Sequence, residues 1–254
     1  MALEGLIASE LISGVLEIII PIVIGIYIVS RLGGRYTIFL IGGVLFLVSL
    51  IRLPLNYYLS QWVGINFTGQ AAILLAIAFP SLTAGVFEEG FRYLGLRYAV
   101  KDRGVEAGVM YGAGHGGFES IFLVGGSVLS TAIVIWLNPG IIPSSQLAAL
   151  EATPVWLPFV GVYERVIAIS FHIGMGVLIL RSITQSRPLY IAAAMAAHFL
   201  FNFTAVYATL SGVFASEAVG TIFGAAALYY AYTEVRSEFP GEGRKYGRLP
   251  AATG

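Results

Sequence analysis

Val86-Phe87-Glu88-Glu89-Gly90-Phe91-Arg92-Tyr93 places two carboxylates and a guanidinium within five residues, inside an apolar run long enough to cross a bilayer. A charge at the bilayer centre costs roughly 3 kcal/mol on insertion scales, and such charges line an ion path, a substrate site or a catalytic centre. The rest of the chain can be read for what it brings to this stretch.

Outside it the composition is that of a membrane protein. The 254 residues are 57% hydrophobic and 11% charged, with mean hydropathy +0.85, which is far from a soluble globular domain. Apolar runs of about 20 residues recur, as membrane-spanning helices require. Acidic and basic residues balance at 14 each, and no basic cluster points to nucleic acid. The chain has no cysteine, which excludes disulfides, thiolate catalysis and cysteine-ligated metals. Glu4, Glu10 and Glu17 precede the first basic residue, Arg31, so the N-terminus lacks the basic region of a signal peptide and reads as a retained helix.

The runs predict an all-α, polytopic protein with seven transmembrane helices in a single domain over residues 1–236, placed in the cell membrane. The expected helices are about 5–30, 36–62, 70–100, 105–137, 155–180, 189–211 and 213–235. The fourth is too long to span straight and is expected to break near Gly125-Gly126. Residues 237–254 read as a flexible cytoplasmic tail.

Lys and Arg set the orientation. Arg31, Arg35, Arg97, Lys101, Arg103, Arg181, Arg187, Arg236, Arg244, Lys245 and Arg248 all fall at one end of alternating helices, while the opposite connections carry none. The positive-inside rule then puts the N-terminus outside and the C-terminus in the cytoplasm. Arg52, Arg92 and Arg165 lie within predicted helices.

Depth follows from the helical rise. Glu88 lies nine residues before Arg97, His115 ten after Val105, His172 nine before Arg181 and His198 nine after Leu189. Each is therefore about 13–15 Å from the inner surface. The chain's three histidines and its carboxylate pair share one plane on helices within residues 70–211. A lone intramembrane His is as often an interhelical hydrogen-bonding residue, and a Glu and an Arg one turn apart can simply neutralise each other. Together, at one depth, they argue for a functional polar cluster.

Other groups extend it. Glu119 and Asn202 follow His115 and His198 by four residues and share their helix faces. Glu164 and Arg165 lie about two turns outward of His172, as a functional pair or an outer-leaflet ion pair. Tyr111 either orients the His115 ring or packs. Gly108, Gly112 and Gly116 form a stripe that lets their helix press against a neighbour.

The chemistry is narrowed by elimination. The single aspartate, Asp102, sits in a predicted loop and excludes a two-aspartate protease. There is no Gly-x-Ser-x-Gly elbow and no His-Glu-x-x-His. A partly buried glutamate acting as general base on water remains. Histidines and an asparagine would hold that water, donate to an oxyanion, or bind a divalent metal through neutral imidazole. The donor types admit a metal such as zinc on His115, His172 and His198, and equally a metal-free site.

Glu88-Glu89-Gly90-Phe91-Arg92-Tyr93, Gly114-His115-Gly116-Gly117-Phe118-Glu119-Ser120, Glu164-Arg165 with Phe171-His172, and His198-Phe199-Leu200-Phe201-Asn202 together resemble the YhfC family. That family is classed with glutamic-type intramembrane proteases of the CAAX-protease and bacteriocin-processing superfamily, alongside PrsW. The resemblance implies that Glu88 or Glu89 activates water while His115, His172, His198 and Asn202 complete the site. In the CAAX enzymes three residues separate the glutamate pair from the Arg; here only Gly90 and Phe91 do. The 26-residue spacing of His172 and His198, the glycine stripe and seven helices are also similar to the Aph subunit of gamma-secretase, whose site is thought to serve scaffolding.

The resulting expectation is an intramembrane endopeptidase acting on a membrane-protein or peptide substrate, with Glu88 as base and Glu89 and Arg92 as its electrostatic partners. The alternatives are an Aph-like scaffold for a membrane-protein complex partner and, more distantly, a proton- or metal-coupled transporter. A transporter should show matched broken helices in two halves, and no such symmetry is evident in the chain.

Overall fold

The structure is a computed structural model that describes residues 2–239. All regular elements among them are helical. Seven helices are long and apolar enough to cross a membrane: 3–32, 36–66, 69–99, 105–137, 158–184, 189–211 and 213–238. Each expected span is there, with ends shifted by a few residues. The chain is a multi-pass membrane protein. Its exposed Ile, Leu, Val and aromatic side chains are the lipid-facing surface, for which burial in protein is no requirement.

Resolved into elements, the order is α1 (Ala2–Leu32), α2 (Tyr36–Ser49), α3 (Arg52–Asn66), α4 (Gly69–Leu94), α5 (Val105–Phe118), α6 (Gly126–Leu137), α7 (Ser144–Glu151), α8 (Pro158–Thr184), α9 (Leu189–Ala208) and α10 (Val213–Glu238). Four differ from the sequence expectation. The second span is not one helix: it breaks at Leu50–Ile51 into α2 and α3. Pro54 explains the break, because its ring clashes with the carbonyl four residues back, at Leu50, and it cannot donate there. Leu53 N–H bonds Leu50 O instead, in a tighter turn. The third span ends in a π turn, Gly95–Ala99. The fourth breaks as a π segment, Glu119–Gly125, that ends at the predicted glycine pair and begins at Glu119. The connection after it carries the short helix α7.

Ser237 and Glu238, expected to open the tail, are helical. Helix α10 continues through Glu238, which accepts from Arg181 Nη2 at 3.0 Å and caps the free Val105 N–H at 3.0 Å. Arg181 Nε also donates to Glu234 at 2.6 Å. Arg181 therefore closes the Lys/Arg end of the bundle. Residues 240–254 lie outside the described residues.

Helix α5 is the centre of the bundle and is buried along nearly its whole length. Its glycines make that possible. A Cβ at Gly108, Gly112 or Gly116 would meet α8 backbone at Val177, His172 or Ile169. On the opposite side, Gly114 lies against Phe39 of α2, and Gly42 of α2 lies against Tyr111 and His115. Two helices thus approach α5 at backbone distance, with dispersion and close packing holding them. This is what carries His115 to within reach of His172.

Candidate active site

Helix α4 sets the two glutamates side by side, and consecutive helical residues point about 100° apart. Glu89 turns into the core and Glu88 toward a cavity. Both are buried, as are Arg92, His115, His172 and His198.

Glu89 is fully enclosed. Its Oε2 lies 2.9 Å from Arg92 Nε, an ion pair whose angle falls short of a hydrogen bond, and its Oε1 accepts from His198 Nδ1 at 2.8 Å. Arg92 also donates through Nη1 to His172 O and through Nη2 to His172 Nδ1, each at 2.9 Å. A guanidinium only donates, so His172 Nδ1 is an acceptor and Nε2 carries the ring proton. Nε2 gives that proton to Glu119 Oε2 at 2.9 Å.

Glu88 has different company. Its Oε2 is 2.9 Å from His115 Nε2 and 3.7 Å from His198 Nε2. Its Oε1 accepts from Arg52 Nη2 at 2.7 Å. Arg92, expected to serve Glu88, serves Glu89 and His172, although both glutamates lie within one turn of it on α4. The cation on Glu88 comes from α3. Arg52 was legible as an intramembrane charge with no partner in its own helix, and such a charge demands one elsewhere.

The three imidazoles form one cluster, with ring centroids 4.6 Å apart for His115 and His172 and 5.4 Å for His172 and His198. Phe46 packs edge-on to His115, and Phe171 sits against His172 and His198. Equal depth read from the sequence is therefore contact in space.

The second ring of residues divides. Glu119 and Arg165 belong to the site: Arg165 Nη1 donates to Glu119 Oε1 at 3.0 Å and Nη2 to Glu164 Oε1 at 2.5 Å. Glu164 is at the rim, its side chain 53% exposed. Asn202 lines the cavity. Tyr111 does not orient His115: its hydroxyl donates to Phe91 O at 3.3 Å, tying α5 to the turn that holds Arg92. Glu17 of α1 is a further buried carboxylate, with Oε2 lacking a hydrogen-bond partner among the described residues. Reading it only as one of three acidic N-terminal residues hid its depth.

The cavity encloses about 270 Å³. On α9 its wall is His198, Phe201, Asn202, Ala205, Val206 and Thr209, a single helical face. On α8 it runs from His172 back to Arg165 and Glu164. Both walls lead away from the Lys/Arg end, over about 16 Å along α9. At the floor, Glu88, His172 and His198 offer three donor atoms within 4.8 Å of one another.

This donor set decides whether a metal fits. His2Glu is a known zinc donor set, and a tetrahedral ion bonded at about 2.0–2.1 Å holds its ligands about 3.3–3.4 Å apart. The three stand slightly open for that. His198 is ready: Nδ1 is turned to Glu89 and Nε2 is a lone pair facing Glu88, the carboxylate–histidine arrangement of metal sites. His172 ligates through Nε2 only after its proton shifts and Arg92 releases Nδ1. In type and position the residues fit a divalent metal.

The family model described as "YhfC intramembrane metalloprotease" matches residues 16–223. The chain belongs to the YhfC family. It is 30% identical over 210 residues, 76% of this chain and 81% of the relative, to the Bacillus subtilis (strain 168) protein named "Uncharacterized membrane protein YhfC". No solved structure matches. The match takes in every residue of the Glu/His cluster, together with Arg52 and Glu17.

Proposed function

We propose that the protein is an intramembrane endopeptidase whose chemistry takes place at the cavity floor around Glu88. The observation that carries this is the convergence of Glu88, His172 and His198 within 4.8 Å at the closed end of a polar cavity inside a helical bundle. The family's description, an intramembrane metalloprotease, agrees with that donor set.

Glu88, His172 and His198 would hold the metal. A divalent ion bound there supplies Lewis acidity, polarising the scissile carbonyl and acidifying a water. Glu119 is then the carboxylate left to accept the water's proton. Its side chain is 24% exposed on the cavity wall, and Arg165 holds it in place. Asn202 and Arg165 are donors available to the peptide carbonyl. The substrate strand reaches the floor from the end of the bundle without Lys or Arg, along α9.

A metal-free hydrolase has its own support in one feature: Glu88 Oε2 faces the Nε2 atoms of both His115 and His198. In that reading Glu88 accepts the water's proton and passes it to imidazole. Purified protein in proteoliposomes with a membrane-anchored reporter separates the two. Under the metal reading, Glu88→Gln loses both zinc binding and cleavage. Glu119→Gln keeps zinc and loses about 10²–10⁴-fold in rate, the usual worth of a general base. Cleavage that ignores chelators and survives Glu119→Gln but not Glu88→Gln assigns the metal-free route. Cleavage unaffected by either substitution overturns the site. A wild-type protein that never cleaves, yet retains a partner helix after Glu88→Gln, is a scaffold.

A further inference from the structure

The charges at the cavity floor are already balanced. Glu88, Glu89 and Glu119 face Arg52, Arg92 and Arg165, each carboxylate with its own guanidinium, and only rim Glu164 is added to this set. Bringing a dication into such a place leaves uncompensated charge in a low-dielectric interior, which is costly unless a cation leaves. The three guanidinium groups are unequal in how easily they could go.

Arg92 is wholly buried, forms an ion pair with Glu89 and donates to two atoms of His172. Arg165 holds two carboxylates. Arg52 makes one side-chain bond, to Glu88. Its side chain borders the cavity and is 13% exposed. It also stands on the least buried of the three helices that carry these arginines. Helix α3 begins directly after the Leu50–Ile51 break and buries only Val63. Besides the Arg52–Glu88 bond, α3 is tied to α4 by the side-chain hydrogen bond that Asn56 Oδ1 accepts from Thr83 at 2.6 Å.

Occupancy of Glu88 points the same way. Oε1 carries Arg52, and Oε2 carries His115 with His198 beyond it. Each oxygen already has a hydrogen-bond partner while Arg52 remains, and Arg52 is the cationic one. We propose that Arg52 is a built-in competitor for the metal: guanidinium and divalent cation are alternative partners of Glu88, and loading the ion releases Arg52 and loosens α3 about its hinge. Arg52 is thus a positioning residue that keeps Glu88 paired in the metal-free protein. The proposal rests on the metal-holding reading of the site.

Zinc titration of the purified full chain in detergent, against a chromophoric chelator, tests it. Arg52→Gln should bind about tenfold tighter than wild type or more, because the competing cation is gone. Arg52→Lys keeps a cation and should stay close to wild type, while Glu88→Gln should lose binding. Equal or weaker binding by Arg52→Gln, with binding still lost in Glu88→Gln, overturns the competition and leaves the metal site standing. Absence of zinc binding in both wild type and Arg52→Gln overturns the metal site and the competition together. Hydrogen exchange on the wild-type protein needs no variant: zinc should speed exchange in residues 52–60 and leave α5 unchanged. Unchanged exchange in α3 on zinc binding also overturns the proposal.

Discussion

Glu88 and Glu89 are neighbours in the chain with opposite employment. Glu89 is inaccessible, its ion pair with Arg92 is 0% exposed on both sides, and its partners lie in the packed contact of α4, α8 and α9. Glu88 faces a cavity, and its cation arrives on a peripheral helix. One residue step on a helix separates an ion pair sealed in the core from one that borders the cavity. The difference teaches that charge in a membrane helix does not by itself mark the reacting group. What surrounds each carboxylate on the neighbouring helices decides.

The contrast can be broken most directly through the two arginines. Arg92→Ala leaves Glu89 buried and unpaired, and should cost about 3–5 kcal/mol of stability, read as lost folded yield or thermal unfolding in detergent. Arg52→Ala should cost less, because Glu88 borders the cavity and keeps His115 as a partner. Equal losses would erase the distinction. The glutamates themselves give the next largest effect. Glu89→Gln should destabilise by about 1–3 kcal/mol through its orphaned partners, whereas Glu88→Gln should keep near-wild-type melting while losing zinc. The smallest effect sharpens the picture of Arg92. Tyr111→Phe removes the hydroxyl that bonds Phe91 O and should cost about 1 kcal/mol, without changing zinc affinity. A change in zinc affinity would mean that Tyr111 acts on His115 after all.

Much of the site could be read in the chain beforehand. His115, His172 and His198 are at equal depth because helical rise converts residue counts into height, and height needs no knowledge of neighbours. The glycine stripe announced a close helix contact, and the structure names α8 as the partner. Rotation about a helix axis is another matter. Counting depth could not say that Arg92 turns to Glu89 and His172, that Tyr111 reaches Phe91, or that Glu119 and Arg165 pair across helices. Arg52 was visible as an intramembrane charge, yet its partner lies on another helix, 36 residues away in sequence.

The sequence by itself determined seven spans, a membrane location and the common level of the polar residues. Hydropathy and helix rise are local properties matched to bilayer thickness. Only the tertiary structure decided which glutamate faces the cavity, which arginine attends it, and where the second span yields at Leu50 to bring Arg52 to Glu88. Those choices depend on how helices rotate and press together, and buried charges are stabilised by partners that proximity in the chain does not supply.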